Sequence, residues 1–196
     1  MRVLIIGASG HVGRTAVDAL QEHEVIAASR SGEPSVDVED PASIERLFQG
    51  VGSVDAVIVA LGGVPFRPLS DLDRDDYRSA FRGKVLTQLD VVRIGTSFVR
   101  DGGSFTLTSG ILAREAIATG AAASLANGAL DSFVLAAATE LPRGIRINAV
   151  SPSVLEDAPS YHSSFPGFVP VSSHRVGQAY AKSVLGVQTG RIFAVD

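Results

Sequence analysis

Gly7, Gly10 and Gly13 stand three residues apart in the run GASGHVG. Glycines so spaced, between a short apolar run and a helical pattern, let the backbone approach a pyrophosphate closely. Gly7 permits the tight turn, Gly10 leaves room for phosphate, and Gly13 lets the helix pack on the strand. Ser9, His11 and Val12 fill the turn and the first helical residues, where free N–H groups and the positive dipole end meet an anion. A second cluster, Ser29-Arg30-Ser31, follows the apolar run Val25 to Ala28. In dinucleotide-binding domains an acidic residue there holds a ribose 2′-OH, whereas an arginine flanked by hydroxyls suits a 2′-phosphate. The expected cofactor is therefore NADP(H), with Arg14 adding charge nearby.

The elements that must position these residues alternate β-branched runs with helical patterns, which predicts a parallel sheet covered on both faces. Strands are expected at Val3–Ile6, Val25–Ala28, Val36–Val38, Ala56–Ala60, Phe105–Thr108, Ile145–Val150 and Ile192–Val195. Helices are expected at about His11–Leu20, from Pro41 through Phe48, from Asp75 as far as Val99, over Ala121–Leu141, and near Arg175–Leu185. Pro41 suits a first helical position because its missing N–H costs nothing there. Ser172-Ser173 looks like a cap for the last helix, with His174 at its start. Ala121–Leu141, rich in Ala and Leu, reads as a mostly buried helix. The fold class is α/β: a Rossmann fold, a doubly wound parallel sheet of about seven strands, in a single domain spanning residues 1–196.

Composition narrows the partners. Of the 196 residues 45% are hydrophobic and 19% charged, enough apolar surface for a core. A net charge of −4 gives no electrostatic reason to expect nucleic acid or an anionic membrane. The absence of cysteine excludes disulfides, thiolate zinc sites and a cysteine nucleophile. The four histidines are scattered without ligand spacing, so no metal is expected. The first apolar run is too short for a signal peptide, and Asn127, Gly128 and Asp131 interrupt the longest one, so a cytoplasmic protein outside the membrane is expected.

At this level the chain resembles the short-chain dehydrogenase/reductase family over nearly its whole length. GASGHVG is similar to the family's glycine motif, and Asp37-Val38 to the acidic pair that contacts adenine. DAVIVALGG, containing Ala60, Leu61 and Gly62, stands where the family's strand ends in Asn-Asn-Ala-Gly, without either asparagine. Gly103 to Ser109 resembles the strand leading to the catalytic serine. PRGIRINAVSPS, which contains Pro152, is very similar to the sixth strand and its Pro-Gly turn. The closing TGRIFAVD matches the last strand. The resemblance implies that Gly7, Ser9, Gly10, His11, Val12, Gly13, Ser29, Arg30, Ser31, Asp37, Val38, Ala60, Leu61, Gly62 and Pro152 contact the dinucleotide.

The family's catalytic residues are a Tyr acid/base, a Lys four residues later and a Ser on the preceding strand. Aligned on ALDSF, those positions fall on Ala123, Asn127 and Gly110, with Ser109 beside the last. No other register restores the pair: the only two lysines, Lys84 and Lys182, follow Ala80 and Gln178 by four residues. A positioned general acid is worth roughly 10²–10⁴-fold, so the standard ketoreductase mechanism is expected to be impaired. Replacement candidates are Ser109 on the strand end, Lys84 near the family's active-site asparagine, and Tyr161 and His162 in the loop after Pro152. The reading is an NADP(H)-binding oxidoreductase with a non-standard active site and an unassigned small-molecule substrate. The alternative is a catalytically inactive dinucleotide-binding sensor or scaffold. Methyltransferases and other nucleotide enzymes are disfavoured by PRGIRINAVSPS and the basic end of the second strand. The small-residue helix Ala121–Leu141, with Gly83–Val99, is where the family builds oligomers, which implies a homodimer or homotetramer.

Overall fold

The computed structural model describes all residues, 1–196. Its strands are β1 (Arg2–Ile6), β2 (Glu24–Ala28), β3 (Val54–Val59), β4 (Val99–Thr108), β5 (Arg146–Pro152) and β6 (Ile192–Val195). All are parallel, in the order β2-β1-β3-β4-β5-β6. The helices are α1 (His11–Ala19), α2 (Pro41–Val51), α3 (Arg74–Ala80), α4 (Thr87–Gly95), α5 (Ala121–Glu140), the short α6 (Pro159–His162) and α7 (Ser173–Leu185). Strand alternation divides the core into two. Leu4, Ile6, Val57, Val59, Phe105 and Leu107 face α2, α4 and α5 in one cluster. Val3, Ile5, Ala56 and Ile58 face α1 and α7 in the other. Helices therefore cover both faces, as a parallel sheet requires, and the fold is of the Rossmann type.

Two expected elements differ. Val36–Val38 forms no strand, leaving six strands rather than seven; the only pairing there is one isolated bridge, Ser29 to Ser35. Pro34 lacks an N–H for a ladder, and Val36 is buried by packing against the core. Asp40 then caps α2 by accepting from the Ala42 N–H at 3.0 Å. The long helix expected from Asp75 to Val99 starts at Arg74, ends at Gly95 and is broken by a π-helical stretch at Phe81–Leu86. Val99 already belongs to β4. The break coincides with a contact from a distant segment: the Gly63 N–H donates to the Gly83 carbonyl at 3.4 Å. A Cβ at Gly83 would lie 3.0 Å from the Gly63 oxygen, so the loop after β3 docks against the helix there. Such π-bulges widen the turn and re-aim its side chains, and this one carries Lys84.

Helix α5 is less buried than its composition suggests. Ala122, Ala126, Leu130 and Val134 lie in the core, but Leu125 and Leu135 are exposed. It is long and apolar enough to cross a membrane by composition, yet one face is built into the domain. Ser172 caps α7 through the Arg175 N–H, as the sequence pattern requires.

Candidate functional site

The strand order reverses beside β1: the chain moves first to β2 on one side, then to β3 on the other. In such sheets the crevice beyond the strands' C-terminal ends is where ligands bind. Here it is a cleft of about 560 Å³ running from the glycine turn and the end of β2 to the ends of β4 and β5.

At one end the site is made of backbone. Gly7 has a φ of +86°, and a Cβ there would lie 2.4 Å from the Ala60 carbonyl oxygen, so only glycine fits. A Cβ at Gly13 would lie 2.0 Å from the Gly7 oxygen, which holds α1 tightly against the turn. The first helical bond of α1 is from the Arg14 N–H to the Gly10 oxygen, leaving the amides of His11, Val12 and Gly13 without a backbone partner. Gly7, Ser9, Gly10, His11 and Val12 line the cleft; Gly13 supports them from below. Ser29 and Arg30 line it from the end of β2, and the exposed guanidinium of Arg30 has no carboxylate partner. Val38, Ala60, Leu61, Gly62 and Pro152 line it as well. Ser31 and Asp37 do not; the Asp37 carboxylate instead accepts from the Glu39 N–H at 3.1 Å.

The other end is made of side chains. Gly110, Ala123 and Asn127, the positions aligned with the family's Ser, Tyr and Lys, all border it. Lys84 enters from the π-helical stretch, its stem passing over Gly62, where a Cβ would lie 2.6 Å from Lys84 Cγ. Its ammonium donates to the Ser109 carbonyl at 3.0 Å. The side chain as a whole is only half-buried. The ammonium is enclosed, however, and burial lowers its pKa to about 8 against the opposing pull of Asp131. Burial also raises the pKa of Asp131, opposed by the Ser109 hydroxyl, Arg114 and Lys84. The hydroxyl stands close enough to favour the carboxylate, but neither Ser109 Oγ nor Asp131 Oδ1 completes a hydrogen bond. Asn127 Oδ1 and Ser153 Oγ are likewise buried without partners.

Of the proton-donor candidates in the loop after β5, Tyr161 stands at the cleft mouth, 53% exposed. His162 is not in the lining, because its ring nitrogen pairs with the Leu155 carbonyl at 2.8 Å. Tyr180 is fully buried on α7, and burial raises its pKa. Thr108 spends its one proton on the Val59 carbonyl, so Tyr180 must donate to Thr108 Oγ1 at 2.6 Å. That phenol is structural.

Sequence reasoning missed Gln88 entirely. Its amide nitrogen donates to the Thr108 carbonyl at 2.9 Å and the Leu61 carbonyl at 3.3 Å, and its oxygen accepts from the Thr108 N–H at 2.9 Å. This single buried residue ties the end of β4 to the loop after β3. The signal was present, since Gln88 follows Lys84 by one helical turn. Asp131 likewise follows Asn127 by four residues on α5, and Ser153 adjoins Pro152.

A parallel sheet with a glycine turn at its switch point defines a dinucleotide-binding α/β domain. Residues 5–186 match the family model described as Enoyl-(Acyl carrier protein) reductase. The chain belongs to the short-chain dehydrogenase/reductase family, whose members bind nicotinamide dinucleotides. It is similar to an uncharacterized oxidoreductase of Methylorubrum extorquens, 28% identical over 152 residues, covering 76% of this chain and 61% of the relative. Versicolorin reductase of Emericella nidulans is 30% identical over 126 residues, covering 61% of this chain and 48% of its own length. The chain thus spans roughly half to three fifths of these relatives. Among solved structures, a protein from Listeria innocua superposes with a TM-score of 0.97 at 41% identity over 100% of both chains. A small-chain dehydrogenase in complex with NADPH gives 0.87 at 26% identity over 100% of this chain and 96% of its own.

Proposed function

We propose that the chain is an NADP(H)-dependent oxidoreductase that works without the family's Tyr-Lys dyad. The observation that carries the cofactor choice is Arg30, an exposed guanidinium free of any carboxylate at the end of β2, in the same cleft as the unpaired amides of α1. Those amides suit a pyrophosphate, and the arginine suits a 2′-phosphate. The NADPH complex of the small-chain dehydrogenase supports the same choice. When bound, the dinucleotide supplies hydride chemistry. The protein's part is to hold the pyrophosphate at the glycine turn and to align a substrate against Ser109, Gly110 and Asn127. It also excludes water with the apolar wall of Val64, Ile111, Leu112 and Phe165. We further propose that the chain pairs with a second copy through the exposed face of α5, where Leu125 and Leu135 are unpartnered.

The cofactor reading is tested by titrating NADPH and NADH and following cofactor fluorescence. NADPH binds the native chain more tightly, and Arg30→Ala weakens NADPH about 10–100-fold while leaving NADH nearly unchanged, the loss of one charge-assisted contact. An Arg30→Ala chain with undiminished NADPH affinity excludes the reading. NADPH binding with no oxidation across a panel of quinones, flavins and carbonyls places the chain among non-catalytic binders instead.

A further inference from the structure

We infer that Lys84 is the proton donor of this site, protonating the oxygen of an apolar ketone or aldehyde held between its ammonium and the unpartnered hydroxyls of Ser109 and Ser153. The inference rests on the oxidoreductase reading above. Ser109, Asn127 and Ser153 all border the cleft and are 3%, 3% and 6% exposed, yet Ser109 Oγ, Asn127 Oδ1 and Ser153 Oγ have no hydrogen-bond partner. Buried polar atoms are otherwise almost always satisfied, so the two hydroxyls mark a place for an acceptor oxygen of a ligand, and Asn127 Oδ1, itself an acceptor, is left for a donor such as the hydroxyl of the alcohol formed. Lys84 is aimed into that pocket by construction: the π-helical stretch turns it toward the cleft, and Gly62 leaves a path for its stem. The Ser109 carbonyl takes one of the ammonium's three N–H groups. Two remain for a ligand oxygen.

The surroundings leave that oxygen no better acid. Tyr180 donates to Thr108, His162 is tied to Leu155, and Tyr161 is at the solvent-exposed mouth. The charged group facing Lys84 is Asp131 on α5, which Arg114 faces in turn. Asp131 sustains the ammonium without bonding to it, while burial weakens its hold on the proton, so Lys84 is poised to give it up near neutral pH. In the step, the carbonyl carbon gains the hydride that a reduced nicotinamide dinucleotide supplies, and its oxygen takes a proton from Nζ. An N–H bond breaks, an O–H bond forms, the carbonyl becomes an alcohol and the dinucleotide is oxidised. The neutral amine then regains a proton from water. The apolar wall of Phe66, Ile111 and Phe165 selects a hydrophobic body for the substrate.

Three measurements test this. The chain has two lysines, so carbon-labelled lysine gives two resonances, and Lys84→Arg assigns them. The Lys84 signal titrates with a midpoint near 8, and Asp131→Asn moves that midpoint lower because the supporting charge is gone. With nitrobenzaldehyde and NADPH, Lys84→Arg and Lys84→Met each lose about 10²-fold or more in kcat while retaining NADPH binding by fluorescence. Arginine keeps the positive charge but cannot release a proton, so it separates donation from anchoring. Native kcat falls as pH rises through the Lys84 midpoint. Lys84→Arg with native kcat, or a Lys84 midpoint above 10, overturns the inference while leaving the oxidoreductase reading in place. Tight NADPH binding with no turnover of any carbonyl by the native chain overturns the inference alone if quinones or flavins are reduced, and overturns both readings if they are not.

Discussion

The two ends of the cleft are built from different materials. The glycine end presents backbone amides and one exposed arginine, and its shape is fixed by close approaches between main-chain atoms. The Ser109 end presents side chains contributed by the π-helical stretch, β4, α5 and the loop after β5, several of them buried with bonds unmade. The first kind of site tolerates almost no change in its residues. The second contains the shifted groups Lys84 and Asp131 and has slack in its packing. Binding a common cofactor demands the rigid arrangement, whereas accommodating a particular substrate depends on the variable one.

The largest effect should come from adding atoms at the rigid end. Gly13→Ala forces a Cβ to within 2.0 Å of the Gly7 carbonyl. It is expected to cost more than about 3 kcal/mol in urea unfolding and to abolish NADPH binding. Gly110→Ala is the matching change at the other end. There φ is 166°, extended backbone that any residue adopts, and the nearest atom is the Asn127 side-chain nitrogen at 3.1 Å, which can shift. That variant should lose less than about 1 kcal/mol. Equal losses at the two positions would erase the distinction between the ends.

This contrast also explains what could be read from the sequence. A glycine turn is local: seven consecutive residues encode it, and the strand and helix around it have their own periodicities. The sheet and most helices were legible for the same reason. Val36–Val38 misled because a short β-branched run is equally consistent with a loop whose valine is buried by packing alone. The break at Phe81–Leu86 was invisible because its cause, the docking of Gly63 on Gly83, joins residues twenty apart in the chain. The family resemblance placed Gly110, Ala123 and Asn127 at the cleft and made Ser109 and Lys84 candidates, but the enclosure of Lys84 beside Asp131 and the unmade bonds of Ser153 arise only from the packing of separate elements. Gln88, which ties the end of β4 to the loop after β3, stands one helical turn beyond Lys84, a spacing that has meaning only once Lys84 is known to face the cleft.

A second consequence concerns stability. Lys84 titrates at about 8 in the folded chain against 10.5 ordinarily, because burial disfavours its charge. Between those values the unfolded chain binds more protons than the folded one, so stability rises with pH across that window, and below about pH 8 the burial penalty is fully present. Lys84→Met removes the penalty. At pH 7 it should therefore be more stable than the native chain by about 1–3 kcal/mol, an advantage that fades as pH rises toward 10.5. Denaturant curves at pH 7 and pH 10 check both the sign and the fading. A variant less stable than native at pH 7 would show that the lysine is held in place for the fold and not despite it.

The smallest effect is expected at the mouth. Tyr161, on the short α6, is the remaining phenol that lines the cleft, and at 53% exposure it is bathed by water rather than enclosed with Lys84. A proton donor gains its advantage from being fixed beside the reacting oxygen in a site that excludes water. Tyr161→Phe keeps the ring in the cleft lining while removing the only proton the residue could give. Its kcat/KM with nitrobenzaldehyde should change by less than about threefold, against the roughly hundredfold or greater loss in kcat expected at Lys84. The two losses are compared at the same pH, below the Lys84 midpoint, so that the native chain and Tyr161→Phe both start with the ammonium charged. A loss at Tyr161 as large as that at Lys84 would move the proton from the enclosed end of the cleft to its lid.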